Sequence, residues 1–297
     1  MSWTELFLLS EGIERPDEAY DWLDLADLTD RVGTSWNRRR GIHVNKIYKH
    51  YDTFWGNSRA RSESISEKQM GLRVERIVRQ AHFAENKFKR RHILLKGINL
   101  VMIHGDGSAN GHALPSKSGA IVWVAAECFH TALETKVFVT HEIAHGIHYR
   151  EEPGFAFHTM EEKRLVWRQL ITEGVATYLT KKALKVPDEI ALWADTLPPD
   201  QLRSWMEACR NRERELFEYI ERNFDSSDPS ISLFYAADPN DIFAYRAGYY
   251  AGLKLIEKVC KENKIRDWDL PTISVDMLRG YVRSAFRNWN YVDNLQT

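Results

Sequence analysis

His141, Glu142 and His145 lie in the stretch VTHEIAHGIHY, residues 139–149, and combine residue types that activate water on a metal ion. Residues four apart lie on one face of a helix, so His141 and His145 can offer two imidazoles to one ion. Glu142 is rotated by about 100° from His141, which places it beside the metal rather than on it. A general base that takes a proton from activated water belongs there. The H-E-x-x-H pattern is short enough to arise by chance, so its weight rests on whether the surroundings supply a helix, a third ligand and a substrate-binding edge.

A catalytic zinc takes three protein ligands and keeps one position open. His148 follows on the same helix, but a rigid helix cannot wrap three imidazoles around one ion, and His148 reads better as a packed histidine near the site. The extended pattern with a third histidine six residues after His145 fails, because position 151 is Glu. His158, in the following loop, is a weaker alternative. The best candidate is Glu173, in TEGVATY. A mid-helix glutamate is more often a solvated surface residue, but Gly174 and Ala176 are small and would let its helix approach the HEIAH helix closely. His141, His145 and Glu173 would then form a His₂Glu zinc site.

Several elements must position these residues. Thr131-Ala-Leu-Glu134 is a capping box that starts a helix near residue 132 and carries it through HEIAH to about Tyr149. Thr159-Met-Glu-Glu162 is a second capping box, expected to start a helix running through TEGVATYLT to about Lys182. Upstream, Ile98–His104 (INLVMIH) and Ala120–Ala125 (AIVWVA) are short, β-branched strand candidates. Between them, GDGSANGH (105–112) lacks the phosphate-loop pattern and reads as a connecting loop. Asp238-Pro239 reads as the N-cap and first residue of a helix that continues through DIFAYRAGYYAGLKLIEKV. Ala244, Gly248 and Gly252 form a four-residue stripe on it that predicts close packing. Further helix is expected over Glu18–Leu28, Met70–Phe88, Ala191–Trp193 and Leu202–Phe224. The fold class is α+β: a mostly helical, zincin-like core with a small β-sheet, flanked by N- and C-terminal helices. The expected regions are an N-terminal helical part (1–97), a metal-binding core (98–185) and a C-terminal helical part (186–297).

Composition narrows the setting. The 297 residues carry a net charge of −1, with no global pull toward nucleic acid or an anionic membrane. The basic runs Arg38–Arg40 and Lys87–Arg91 are interspersed with acids and read as solvated faces. Three separated cysteines, Cys128, Cys209 and Cys260, indicate neither a disulfide framework nor a thiolate zinc site. No leader or membrane-length apolar run is evident, so a cytoplasmic protein without membrane or nucleic-acid partner is expected.

HEIAH followed by EGVATY resembles the gluzincin type of zinc metallopeptidase. More narrowly, it is similar to predicted bacterial zinc-dependent proteases that share H-E-x-x-H, a downstream E-G-x-A-x-Y and a later R-x-G-Y helix. The resemblance is strongest over residues 98–260. It implies Zn²⁺ held by His141, His145 and Glu173, with Glu142 as acid/base and a peptide or protein as substrate. The repressor-cleaving relatives carry an E-A-N-x-F-A segment where this chain has EGVATYL, which counts against that subgroup. For the oxyanion that develops on peptide hydrolysis, Tyr245, Arg246, Tyr249 and Tyr250 are candidate donors, and the R-x-G-Y likeness favours Arg246 and Tyr249. The AIVWVA strand is expected to offer its edge to an extended peptide. A zinc hydrolase acting on a non-peptide amide or ester would use the same water activation. A non-catalytic protein with a zinc-stabilised fold would not need Glu142, since structural zinc takes four ligands and no base.

Overall fold

The computed structural model describes residue 54 and residues 67–103, 109–116 and 119–289. The expected helix over 18–28, the run Arg38–Arg40 and residues 105–108 of the glycine-rich loop lie outside the described residues. The chain forms two compact units, residues 1–150 and 151–297. The fold is mostly helical α+β with one small sheet.

From residue 67 on, the described part of the first unit holds helix α1 (Glu67–Lys89), followed by strands β1 (Ile98–Ile103), β2 (Gly111–Ser116) and β3 (Gly119–Ala125). The sheet order is β1-β3-β2, with β1 parallel and β2 antiparallel to β3. AIVWVA is therefore the middle strand, paired on both sides, and cannot offer an edge to a peptide. Among the described residues, β1 and β2 are the outer strands. The sequence expectation is also corrected at β2, since Gly111 and His112 begin a strand rather than ending a loop. Proline is tolerated here because of the register. Ala125 N–H donates to the Asn110 carbonyl, and Gly111 lies opposite Val124. The ladder bonds therefore fall on 110, 112, 114 and 116, and Pro115 occupies a position that owes β3 no donor.

Helix α2 (Ala132–Glu151) follows, starting where the capping box predicts. Thr131 Oγ1 accepts from Glu134 N–H at 3.0 Å, and Glu134 Oε2 accepts from the N–H groups of Thr131 and His130 at 3.3 and 2.8 Å. Three N–H groups at the helix start are thereby satisfied. Fifteen of its twenty residues are buried. A helix so enclosed has no wide solvent stripe, which is why its apolar residues follow no amphipathic spacing and its buried positions include Thr, His and Glu.

The second unit holds α3 (Met160–Arg164), α4 (Val166–Leu184), α5 (Asp188–Trp193), α6 (Pro199–Asn211), α7 (Glu213–Arg222), α8 (Ala247–Glu262) and α9 (Val275–Trp289). Three expectations are corrected here. The second capping box works, with Thr159 Oγ1 accepting from Glu162 N–H at 3.1 Å, but it caps only the short α3. Leu165 leaves the helical conformation with ψ 113, and α4 starts afresh without a side-chain cap. Its first N–H groups, on Val166 and Trp167, instead donate to the carbonyls of Ser226 and Phe224 at 3.0 and 2.9 Å. The second correction concerns Asp238-Pro239, which forms a turn closed by Asp238 Oδ1 and Asn240 N–H. A 3₁₀ turn at Ile242–Ala244, capped by Asp241, comes next, and α8 begins only at Ala247. Leu202–Phe224 is likewise two helices, interrupted at Arg212.

Among the described residues, no helix is long and apolar enough to cross a membrane. Cys209 and Cys260 are buried, Cys128 is half-buried, and all three are free thiols.

Candidate metal centre

One stripe of α2 faces the sheet, and its register can be read from what surrounds each position. A Cβ at Gly146 would lie 2.5 Å from Val122 Cγ2 on β3 and 3.3 Å from Ile98 Cγ2 on β1, so the helix rests directly on the strands there. One turn later, the Arg150 guanidinium donates to the carbonyls of Leu94 and Lys96 beside the start of β1. One turn earlier is Glu142, whose Cγ and Cδ lie against Gly111 of β2. The stripe 142–146–150 thus crosses the sheet from the β2 edge to the β1 end. Glu142 is therefore placed at an edge strand, 6% exposed.

His141 and His145 lie next to that stripe, rotated off the sheet face. Their Nε2 atoms are 3.1 Å apart and their rings meet edge-on, with centroids at 4.7 Å. Two nitrogens bound tetrahedrally to zinc at 2.0–2.1 Å would be separated by about 3.3 Å. The pair therefore already has the spacing that one shared zinc ion imposes. Both imidazoles are buried, 7% and 5% exposed. Glu173, on α4, is 8% exposed. Among the described residues, His141, His145 and Glu173 form the group whose ligand atoms all lie within 4.8 Å of one another. The sequence alternatives are not in it. His158 is exposed on its loop. His148 is fully buried, and its pKa is pushed down to about 3 by burial first and by the neighbouring His145 second. It is held neutral as a packed residue of α2.

The aromatic and cationic candidates occupy the start of α8. Tyr245 and Arg246 precede the helix, and only Tyr249 and Tyr250 lie on it. Arg246 sits at the N-cap in a left-handed conformation, φ 59, with its backbone N–H donating to the Tyr235 carbonyl. Its guanidinium lies over the Trp193 ring at 4.4 Å and over the Tyr249 ring at 4.5 Å. Contact with two rings limits the motion of a long side chain and its donor fork. The Tyr245 ring rests on Trp193 at 5.3 Å, while its carbonyl accepts from Trp205 Nε1. Tyr250 is buried and donates its hydroxyl to Glu213 at 3.3 Å, which gives it a structural task.

Sequence reasoning missed Tyr235. Backbone bonds from Arg246 N–H to Tyr235 and from Gly248 N–H to Leu233, with the bridge between Ala236 and Tyr245, lay residues 233–236 along the start of α8. Tyr235 is 45% exposed as a whole, yet desolvation of its hydroxyl is the first cause that raises its pKa; Arg164 opposes that shift and the Glu173 carboxylate adds to it. A tyrosine hydroxyl thus stands within the electrostatic reach of Glu173. ISLFYAADP carries no periodicity or motif that would single it out.

No protein-family model, curated protein or solved structure matches this chain.

Proposed function

We propose that the protein is a zinc-dependent metallopeptidase of gluzincin type, working in the cytoplasm on peptides or a protein. The observation that carries this reading is the buried group of His141, His145 and Glu173, with Glu142 next to it at an edge strand. Two imidazoles and one carboxylate are a donor set of catalytic zinc and leave a position open. A purely structural ion would call for a fourth protein ligand and gives no reason to seat a buried carboxylate alongside.

Bound there, zinc would supply polarisation of the scissile carbonyl and acidification of a water to near-neutral pKa. With the metal in place, Glu142 would accept the proton of the attacking water and pass it to the leaving amine. Its place against β2 suits this role, because a substrate extended along that edge would bring its backbone to the carboxylate. Charge developing on the carbonyl oxygen needs a donor from the protein. Arg246, in contact with two rings, is the first choice, followed by Tyr249, Tyr245 and Tyr235.

Metal analysis and peptide cleavage test the reading together. The purified protein should carry one zinc per chain, lost when His141, His145 or Glu173 is replaced by alanine. Glu142→Gln should keep the zinc and lose about 10²- to 10⁴-fold in cleavage of a fluorogenic peptide library. A zinc-loaded Glu142→Gln that cleaves at the parental rate would end the proposal. Hydrolysis of small amides or esters with no peptide cleavage would move the substrate class.

A further inference from the structure

We propose that Gly111 is a positioning residue for Glu142, reserving the space in which that carboxylate stands. The inference rests on the peptidase reading above but makes its own claim about the edge strand. Gly111 is extended and is not among the glycines with positive φ, which are Gly97 and Gly119, so no backbone conformation demands glycine here. Glycine inside a strand weakens it and often marks the close approach of another group. The group approaching here is Glu142. A Cβ at position 111 would lie 2.7 Å from Glu142 Cγ and 2.9 Å from Cδ, with the Trp123 carbonyl oxygen at 3.0 Å. Carbon atoms rest at about 3.5–4.0 Å from one another, so even alanine demands a displacement of about 1 Å.

What gives way follows from how firmly each partner is held. Strand β2 is fixed by its ladder to β3, with the bond from Ala125 N–H to the Asn110 carbonyl immediately beside Gly111. Helix α2 is fixed by Gly146 against Val122 and by Arg150 on the carbonyls of Leu94 and Lys96. Between two held backbones, the Glu142 side chain is the part that moves. Its carboxylate would turn away from the edge and from the two histidines flanking it on α2. A base shifted by this distance loses rate without losing the metal, because the atoms nearest position 111 belong to Glu142 and Trp123 rather than to the three proposed ligands.

The test compares Gly111→Ala and Glu142→Gln with the parent, each loaded with zinc. Gly111→Ala should bind one zinc per chain and melt close to the parental temperature. Its kcat/KM on the peptide library should fall about 100-fold, the usual effect of a misplacement of this size. The loss should fall on kcat with KM close to parental, since the proton-transferring group is displaced while the proposed zinc ligands stay. If Glu142→Gln is inactive while Gly111→Ala keeps the parental kcat and KM, the inference on Gly111 fails and the peptidase reading stands. If Glu142→Gln itself is fully active, the peptidase mechanism fails first. Should Gly111→Ala not fold, the substitution is repeated in Glu142→Ala, which removes the atoms it meets. Folding of that double variant as well as Glu142→Ala supports the contact, and its misfolding overturns it.

Discussion

Gly174 on α4 and Gly252 on α8 bring two helix backbones into direct contact. A Cβ on Gly174 would meet the Gly252 carbonyl oxygen at 2.6 Å, and one on Gly252 would meet the Leu170 carbonyl oxygen at 2.7 Å. The atoms in the way are backbone on both sides, so no side chain can swing aside. The sequence expectation that Gly174 makes room for the HEIAH helix is corrected, because α8 occupies that room. The consequence for the site is indirect: the residue before Gly174 is Glu173, so this crossing fixes the part of α4 that carries the carboxylate.

Either Gly174→Ala or Gly252→Ala should therefore destabilise the protein. Alanine is the better helix former by about 1 kcal/mol. Overpacking a closed contact costs about 1–3 kcal/mol, and here the obstacle is rigid backbone, so the upper part of that range applies. Thermal or urea unfolding should show net losses for both variants. Gly174→Ala should also weaken zinc binding through Glu173. A gain in stability would mean that helix propensity wins and that the two backbones are not in contact.

A second prediction concerns a ring of four charges that ties α4, α5 and α8. Lys181 pairs with Asp188 at 2.5 Å and with Glu257, while Lys254 pairs with Asp188 at 2.5 Å and with Glu257 at 3.5 Å. Burial pushes the Asp188 carboxyl upward, but bonds and charge from the two lysines outweigh it and hold the carboxyl below its ordinary range. Lys181 is raised, burial again opposing and its two acids prevailing. A carboxyl lowered in the folded state adds stability that is complete above its unfolded pKa, about 3.9, and lost as pH falls through the folded value. A raised lysine adds stability that is complete below its unfolded pKa, about 10.4, and lost as pH rises through the folded value. Asp188→Asn should therefore cost about 1 kcal/mol across neutral pH, less at high salt. The gap from the parent should close in strong acid. Melting temperatures of both proteins across pH would check this, and a gap unchanged at pH 2 would sink it.

What the sequence revealed and what it hid follow from the range of the interactions involved. β1 and β3 were legible because INLVMI and AIVWVA are short apolar runs rich in β-branched residues, and both strands are buried. The start of α2 was legible because Thr131, Glu134 and the N–H groups they satisfy all lie within five residues. β2 was hidden because Gly111 and Pro115 look like turn residues. Gly111 is explained only by Glu142, 31 positions later, and Pro115 only by the register with β3. The break at Leu165 was hidden for the same reason, since the groups that satisfy the start of α4 are carbonyls near residue 225. Among site residues, the two histidines and Glu142 follow from spacing. Glu173 needed a judgement about its small neighbours, and Tyr235 follows only from backbone bonds to the start of α8.

The capping box gives a third prediction and separates helix stability from site geometry. Thr131→Ala removes the acceptor for Glu134 N–H, a loss of about 1 kcal/mol for a helix cap. Glu134→Ala removes the acceptor for two N–H groups, those of Thr131 and His130, and should cost at least as much. These groups lie nearly three turns before His141. At the site and beyond it, α2 is anchored to the sheet by Glu142, Gly146 and Arg150, and those contacts do not involve the cap. Fraying at residue 132 should stop before it reaches the histidines. Both variants should therefore melt earlier than the parent yet bind zinc with parental affinity at temperatures well below melting. Parallel losses of stability and zinc affinity would mean that the cap, rather than the seat on the sheet, sets the positions of His141 and His145.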